Sequence, residues 1–193
     1  MNPSYDIKTD EELAALVQGN NDDAFGVLME RYQGKLLRYG KRFLSQNDHI
    51  EDIVQDVFIK TYQNIRSFDA TRRFSPWIYR IAHNAFANAL RKNHREPLMF
   101  VDFDTFIAHP SYTEDPAKEE DRKNIKKLVE SGLELLPNIY KEIIILYYIE
   151  DMSYQEIADI LRVPVGTVGI RLRRGREALK EKFSGGDNIK VSV

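Results

Sequence analysis

The stretch SYQEIADILRVPVGTV, residues 153–168, decides how the C-terminal part of this chain folds. Ser153 and Glu156 have the spacing of a capping box, in which each side chain accepts a hydrogen bond from the other residue's backbone amide. The apolar side chains at 157–161 then supply the buried face of a helix about two to three turns long. The helix breaks at Arg162, which stands where such turns often carry glycine, so either the turn is less tight than usual or Arg162 adopts a left-handed backbone.

A second helix is predicted to begin at about Val165, and its composition indicates a nucleic-acid partner. Its inner face carries apolar residues at helical spacing, namely Val168, Leu172, Leu179 and Phe183. Its outer face is basic and contains Arg171, Arg173, Arg174 and Arg176. A short helix, a tight turn and a longer basic helix predict a helix-turn-helix, in which the small Ala158 lets the helices approach. A helical hairpin with an ordinary basic surface is the alternative, but guanidinium groups suit guanine edges and phosphates.

The rest of the chain shows helical periodicity without convincing alternation of period two, so the predicted fold class is all-α. Four further helices are predicted in the N-terminal half. The first is capped at Asp10 and ends near Gly19, and the second runs from Asp22 or Asp23 to about Ser45. The third runs from about Asp48 to Ile65, and the fourth is opened by Ser75 as N-cap with Pro76 in its first turn and continues to about Asn93. The second has an apolar stripe of Phe25, Leu28, Tyr32, Leu36, Tyr39 and Phe43. The third helix has an apolar stripe made of Ile50, Ile53, Val54, Val57, Phe58, Tyr62 and Ile65. Helical periodicity returns at residues 120–135 and again, after Pro137, at 143–148.

Residues 96–121 interrupt the periodicity with three prolines and many acidic and small polar residues. Such a segment is longer than most loops inside a compact domain, so it predicts a linker between two small helical domains. We therefore predict a first domain at 1–95, the linker at 96–121, a second domain at 122–184 and a tail at 185–193.

The net charge of -2 conceals a change of sign along the chain. The segment from Arg66 to Arg95 contains seven basic residues and one acidic residue, and the segment from Arg162 to Lys182 contains seven basic and two acidic residues. Between them, residues 96–124 carry eight carboxylates and three basic residues. Two basic segments on either side of an acidic connector favour two contact areas for a polyanion, although solvated helix faces would give the same charges.

The predicted fourth helix carries two stripes of different chemistry. The first is apolar and expected to be buried: Trp77, Ile78, Ile81, Ala85 and Leu90. The second is basic and amide-bearing: Arg80, Asn84, Asn88, Arg91 and Arg95. The segment before the helix mixes aromatic and basic residues: Phe68, Arg72, Arg73 and Phe74. Aromatic rings stack on unpaired bases while arginines follow the backbone, so this pattern suits a single-stranded nucleic acid. An ordinary amphipathic helix with a core tryptophan explains the pattern equally well by itself, and the C-terminal helix-turn-helix argues against that alternative.

The third helix offers a different surface, with carboxylates and an amide near its start: Glu51, Asp52, Gln55 and Asp56. Carboxylates in a first turn also stabilise the helix dipole, so a structural role and a binding role are both open.

Catalytic chemistry has no candidate residues in this sequence. There is no cysteine, no glycine-rich phosphate loop and no serine elbow, and the four histidines His49, His83, His94 and His109 lack metal-ligand spacing. We predict neither an enzyme nor a cofactor. The N-terminus lacks a signal pattern, and the longest apolar run, 143–149, is too short to span a bilayer, so we predict a cytoplasmic protein.

Two blocks of sequence together resemble the extracytoplasmic-function (ECF) sigma factors of bacterial RNA polymerase. EDIVQDVFIK at 51–60, Phe68 and WIYRIAHN at 77–84 are similar to their region two. LP at 136–137, the apolar run to Tyr148, SYQEIA at 153–158 and PVGTV at 164–168 are similar to their region four. The blocks stand in the family's order, so the resemblance implies a promoter-recognition subunit that binds core RNA polymerase and promoter DNA, with an anti-sigma factor as a further partner.

The resemblance also implies roles for particular residues. Asp52, Gln55 and Asp56 would bind the clamp coiled coil of the polymerase's largest subunit. The minus-ten element would be contacted by Phe68, Arg72, Arg73, Trp77, Arg80, Asn84, Asn88 and Arg91, with Phe68 and Asn84 holding an unpaired base. The minus-thirty-five element would be read by Thr167, Gly169, Ile170, Arg171, Arg173 and Arg174.

Two other classes of protein remain as alternatives. A helix-turn-helix regulator without sigma activity would explain the C-terminal motif but has no need of the tryptophan-centred N-terminal block. A polymerase-binding inhibitor or scaffold could use the N-terminal surface, but the arginine-rich last helix argues against it.

Overall fold

The computed structural model describes residues 5–42, 44, 49–92, 132–133 and 136–184, the side chains of 182–184 excepted. The chain divides into two compact units, Met1–Pro97 and Leu98–Val193. The described helices are α1 (Asp10–Gln18), α2 (Asp22–Lys41), α3 (Ile50–Asn64), a 3-10 turn (Ile65–Ser67), α4 (Phe74–Lys92), α5 (Asn138–Tyr148), α6 (Tyr154–Leu161) and α7 (Val165–Ser184). No strand occurs among these residues, and the predicted all-α class with two helical units is confirmed.

The core of the first unit is formed by aromatic and aliphatic side chains of α1, α2, α3 and α4. The predicted α2 stripe is buried from Phe25 to Tyr39, while Phe43 lies outside the described residues. The Tyr39 ring meets those of Tyr79 and Phe86 at centroid distances of 5.2 and 5.5 Å. Gly40 lets the helices approach, because a Cβ there would lie 3.0 Å from both Ile50 Cγ2 and Phe86 Cζ.

The start of α1 differs from the prediction by one residue. Thr9, and not Asp10, is the N-cap: its Oγ1 accepts from the Glu12 amide at 3.2 Å, and Glu12 Oε2 accepts from the Thr9 amide at 2.8 Å. Asp10 is engaged elsewhere, accepting from Arg31 Nη1 at 2.7 Å and from the Tyr32 hydroxyl at 2.6 Å. Burial and this carboxylate raise the pKa of Tyr32 far above its usual range. Asp10 therefore anchors α1 to α2.

The start of α4 also differs from the prediction, which placed an N-cap at Ser75. The helix begins at Phe74, whose amide donates to Glu11 Oε1 of α1 at 2.9 Å. Pro76 is then the third helical residue, where its missing amide costs nothing because the first helical amides have no partner within the helix. A side chain remote in sequence thus supplies the first hydrogen bond of this helix.

The second unit contains the predicted helix-turn-helix. Ser153 and Glu156 form the capping box at the start of α6, with Ser153 N donating to Glu156 Oε2 at 2.7 Å. Arg162 has a left-handed backbone with φ of 54°, the second of the two alternatives, and α7 starts at Val165, as predicted. Val168, Leu172 and Leu179 are buried against α5 and α6, as predicted. Leu172 is 1% exposed, so this face of α7 is closed to a ligand.

Several predicted segments fall outside the described residues. These are the end of the second helix at Ser45, the start of the third at Asp48, the linker at 96–121, most of the helix at 120–135, the side chain of Phe183 and the tail at 185–193. α2 ends at Lys41, α3 begins at Ile50 and α5 begins directly after Pro137. Among the described helices none is long and apolar enough to cross a membrane.

Candidate nucleic-acid interface

An aromatic cluster joins the loop before α4 to the first turn of that helix. The ring of Phe68 lies 5.3 Å from those of Phe74 and Trp77, and the last two are 5.7 Å apart. Phe68 is 5% exposed, and Phe74 is fully buried, whereas Trp77 is half-buried. Phe68 therefore forms an inner wall of the cluster, and Trp77 presents the part of it that solvent and a ligand can reach.

The loop between Phe68 and α4 is ordered by its own polar side chains. Asp69 Oδ1 accepts from the Thr71 amide at 3.0 Å and from the Thr71 hydroxyl at 2.7 Å, which holds the pKa of the Asp69 carboxyl below its ordinary value. Arg72 Nε lies 3.7 Å from Asp69 Oδ2. Arg72 and Arg73 are both exposed, so the loop sets two guanidinium groups beside the aromatic cluster.

The polar stripe of α4 continues from that cluster along the helix. Arg80, Asn88 and Arg91 are exposed, Asn84 is half-buried, and Arg91 donates to Asn88. Asn84 follows Trp77 by seven residues, so it lies on the same face about two turns away, roughly 10 Å along the axis. The structure thus brings Phe68 against Trp77 and places Asn84 on that face further along. Arg95 lies outside the described residues.

The predicted buried side of α4 needs correction. Ile78, Ala85 and Leu90 are buried as expected, but Trp77 and Ile81 are half-buried. The core is completed instead by Tyr79 (0% exposed), Ala82, His83 and Phe86. Because α1, α2 and α3 all contact α4, the buried surface of α4 is wider than one apolar stripe. The sequence alone therefore does not show which of two neighbouring positions is the more buried.

The α3 surface presents Asp52, Gln55 and Asp56, all exposed as predicted. Two apolar side chains on the same helix, Ile59 and Tyr62, are also exposed, by 53% and 44%. The prediction that Tyr62 belongs to the buried stripe is therefore wrong. Its ring edge contacts Phe25 at 5.1 Å and its hydroxyl donates to Asp22 Oδ1 at 2.7 Å, which raises the Tyr62 pKa.

On α7 the candidate minus-thirty-five residues differ in exposure. Arg173 and Arg174 are exposed; Thr167, Ile170 and Arg171 are half-buried. Gly169 is buried and has no side chain, so it offers no group to a base edge. Arg173 Nε lies 4.0 Å from Glu177 Oε1, a carboxylate on the exposed side that the sequence reasoning did not single out. The face opposite Val168 and Leu172 therefore carries the exposed Arg173 and Arg174 together with two exposed carboxylates, those of Glu177 and Glu181.

No group of three or more histidine, cysteine, aspartate or glutamate side chains in the described part of the chain could hold a metal ion.

Comparison with known protein families matches residues 28–96 to sigma-70 region 2 and residues 126–179 to sigma-70 region 4. The chain is 34% identical over 175 residues to the ECF RNA polymerase sigma factor SigW of Bacillus subtilis, covering 86% of this chain and 92% of that protein. It is 36% identical over 181 residues to the ECF RNA polymerase sigma-E factor of Haemophilus influenzae, covering 91% and 95%. Among solved structures, CnrH in complex with the cytosolic domain of CnrY superposes with a TM-score of 0.64 at 27% identity, covering 94% of this chain and 100% of that one.

Proposed function

The chain belongs to the ECF RNA polymerase sigma factors, and from that membership we propose how its two helical units carry out promoter recognition. It is a transcription-initiation factor and not an enzyme: it binds core RNA polymerase and recognises promoter DNA. The observation that carries this function is the presence of both sigma regions in one chain, one holding an aromatic and basic surface and the other a helix-turn-helix. A helix-turn-helix regulator without sigma activity does not account for the first region.

The first unit is proposed to open and hold the minus-ten element. The residues proposed to contact it are Phe68, Arg72, Arg73, Trp77, Arg80, Asn84, Asn88 and Arg91. Because Trp77 is half-buried, part of its ring is available to stack on an unpaired base. The buried Phe68 ring packs behind it and would form the wall of the pocket. The Asn84 amide can donate to and accept from a base edge, which suits recognition of one particular base.

The second unit is proposed to read the minus-thirty-five element as a duplex through α7. The proposed residues are Thr167, Gly169, Ile170, Arg171, Arg173 and Arg174. The exposure of Arg173 and Arg174 supports phosphate or guanine contacts, whereas buried Gly169 contributes backbone only. Arg173 and Arg174 lie on the outward face of a helix whose other face is packed in the core, which supports a role for them in reading the duplex.

The α3 surface of Asp52, Gln55 and Asp56 is proposed as the main contact for core polymerase. Its carboxylates are exposed, and the contact of His49 Nδ1 with Asp52 Oδ2, at 3.9 Å, is open to solvent. The surface is therefore available to a basic partner.

We further propose cytoplasmic action and control by an anti-sigma factor. CnrH, a structural neighbour, is in complex with the cytosolic domain of another protein, CnrY. The proposed boundaries remain a first domain at 1–95, a linker at 96–121, a second domain at 122–184 and a tail at 185–193. A linker of this kind would let a regulator hold the domains in an inactive arrangement, and limited proteolysis of the free chain should then cut first at 96–121.

The decisive experiment is transcription by purified core RNA polymerase on fragmented genomic DNA, with and without this chain. New transcripts whose start sites share upstream elements are expected only when the chain is added. A chain that binds promoter fragments yet yields no added transcript with core polymerase would overturn sigma activity.

A further inference from the structure

Helix α1 reaches the loop that carries the proposed base pocket, although the matched region 2 begins at residue 28, after α1 has ended. The contact is made by Gln18, the last residue of α1. Its Nε2 donates to the carbonyl oxygens of Ile65 at 2.8 Å and Phe68 at 2.7 Å. These carbonyls belong to the first residue of the 3-10 turn and to the residue that follows it, so a single amide group fixes both ends of the turn that positions the Phe68 ring.

The other end of α1 holds the far side of the same loop. Glu11 Oε1 accepts from the Phe74 amide at 2.9 Å, which fixes the residue where α4 begins. Phe74 in turn packs against Phe68 and Trp77. Two side chains of one short helix therefore hydrogen-bond to the segment 65–74, Gln18 near its beginning and Glu11 at its end.

Helix α1 is itself firmly attached, so it can act as a fixed support. Arg31 and Tyr32 of α2 both donate to the Asp10 carboxylate, and Arg31 also donates to the carbonyls of Tyr5, Asp6 and Lys8. Leu13 and Ala14 of α1 are fully buried. The support and the loop are therefore joined by hydrogen bonds, and the support is joined to the core by packing and an ion pair.

We propose that α1 is a positioning element of the minus-ten site, in which Gln18 and Glu11 hold the loop 65–74 in the shape that receives an unpaired base. This inference rests on the proposed function. Neither side chain touches DNA: each acts through Phe68, Phe74 and Trp77. Losing Gln18 would take the side-chain donor from both carbonyls, of which Ile65 O would keep only the Phe68 amide at 3.0 Å. Losing the Glu11 carboxylate would remove the acceptor of the Phe74 amide. The loop would then relax so that water satisfies these groups.

The test uses the full chain assembled with core polymerase. The probe is a single-stranded DNA oligonucleotide selected from a random pool by the wild-type holoenzyme. Gln18→Met keeps length and helix propensity but removes the donor, and Gln33→Met, at an exposed position of α2, is the matched control. Glu11→Met removes the acceptor, and Glu11→Gln, which retains an acceptor oxygen, is the conservative rescue.

We expect Gln18→Met and Glu11→Met to weaken binding of the probe roughly fivefold or more, the factor for one lost hydrogen bond. Their binding to core polymerase and to duplex DNA selected by the wild-type chain should match wild type. Trp77, the one tryptophan of the chain, should change its emission in both variants before DNA is added, because its packing against Phe68 shifts. Gln33→Met and Glu11→Gln should keep wild-type emission and probe affinity within about twofold, less than one hydrogen bond is worth.

Two results separate failure of this inference from failure of the proposed function. If the wild-type holoenzyme enriches no single-stranded sequence and starts no transcripts, the proposed function is wrong. If the wild type does both, and folded Gln18→Met and Glu11→Met match it in probe affinity and in Trp77 emission, α1 is not a positioning element. Should Gln18→Met fail to fold, the Glu11→Met and Glu11→Gln pair decides the matter, because Glu11→Gln controls for the loss of the side-chain charge.

Discussion

The rings of Phe68 and Trp77 meet with centroids 5.3 Å apart and planes tilted by 50°, which ties the loop before α4 to the first turn of that helix. Because Phe68 is 5% exposed, Phe68→Ala removes core packing as well as any base contact. We expect it to lower the free energy of unfolding of the first unit by about 3 kcal/mol. Urea denaturation followed by Trp77 fluorescence measures this. Ile59→Ala, at a 53% exposed position, should cost about 0.5 kcal/mol or less; equal costs for the two would contradict the packing described here.

Charge reversal on the α3 surface should weaken holoenzyme formation. Asp52→Lys with Asp56→Lys replaces two exposed carboxylates by ammonium groups, so a basic partner is repelled while folding is little affected. We expect core affinity to fall at least about tenfold, with a loss that shrinks as salt rises. Glu30→Lys on the exposed side of α2 is the control and should bind core polymerase like wild type. Unchanged core affinity in the folded double variant would remove this surface from the proposal.

The left-handed backbone at Arg162 predicts a stabilising substitution. A non-glycine residue at φ of 54° has a steric cost of roughly 1 kcal/mol that glycine avoids, partly offset by the greater freedom of glycine in the unfolded chain. Arg162→Gly should therefore raise the unfolding free energy of the second unit by a few tenths to about 1 kcal/mol. Thermal and urea unfolding check this. Arg174→Gly, in the middle of α7, should do the opposite and cost about 1 kcal/mol.

The contrast between α6 and α4 shows which features a sequence can predict. The capping box of Ser153 and Glu156 and the turn at Arg162 depend on residues close in the chain, and the structure has both where they were expected. The start of α4 was misplaced because its first amide is satisfied by Glu11, which is 63 residues away. Local propensity cannot show such a partner.

The same limit applies to the binding surfaces. Tyr62 has the spacing of a core residue, but it is exposed, and Asp22 of another helix accepts a hydrogen bond from its hydroxyl and holds the ring at the surface. Gly169 has a position on the recognition helix, but its burial depends on packing within the second unit. Residue identity and spacing predict the chemistry of a site, and tertiary contacts decide which members are accessible.

Removing the charge of Glu177, one of the exposed acidic residues of α7, should raise the affinity for duplex DNA. Glu177 Oε1 lies 4.0 Å from Arg173 Nε, so it competes with DNA phosphates for that guanidinium group and repels them. Glu177→Gln should tighten duplex binding about two- to fivefold at low salt, a smaller change in affinity than a full phosphate contact would give. Arg173→Ala and Arg174→Ala should each reduce the slope of log affinity against log salt by about one if each neutralises one phosphate. Fluorescence anisotropy across a salt series measures all three; a slope unchanged in both arginine variants would place the DNA on another face of the unit.

The last prediction concerns Asn84, because its amide can be removed without a large cavity. Asn84 is half-buried on the α4 face that begins at Trp77, and its amide is proposed to hydrogen-bond to the edge of an extruded base. Extrusion costs a few kcal/mol, and stacking on an aromatic ring returns about 1–3 kcal/mol, so the opened state is finely balanced. Losing one hydrogen bond to the base, worth about 1 kcal/mol, should then reduce promoter opening roughly fivefold.

Asn84→Ala should therefore keep core binding and minus-thirty-five duplex contact, open linear promoter DNA poorly and recover on a template with a pre-melted bubble. Permanganate reactivity of exposed thymines reports the opening directly, and Gln63→Ala, an exposed amide on α3, is the matched control. A wild-type opening rate in Asn84→Ala would show that the base is read elsewhere. A defect that persists on the bubble template would instead place Asn84 in a step after melting, since the energy of strand separation has already been supplied there.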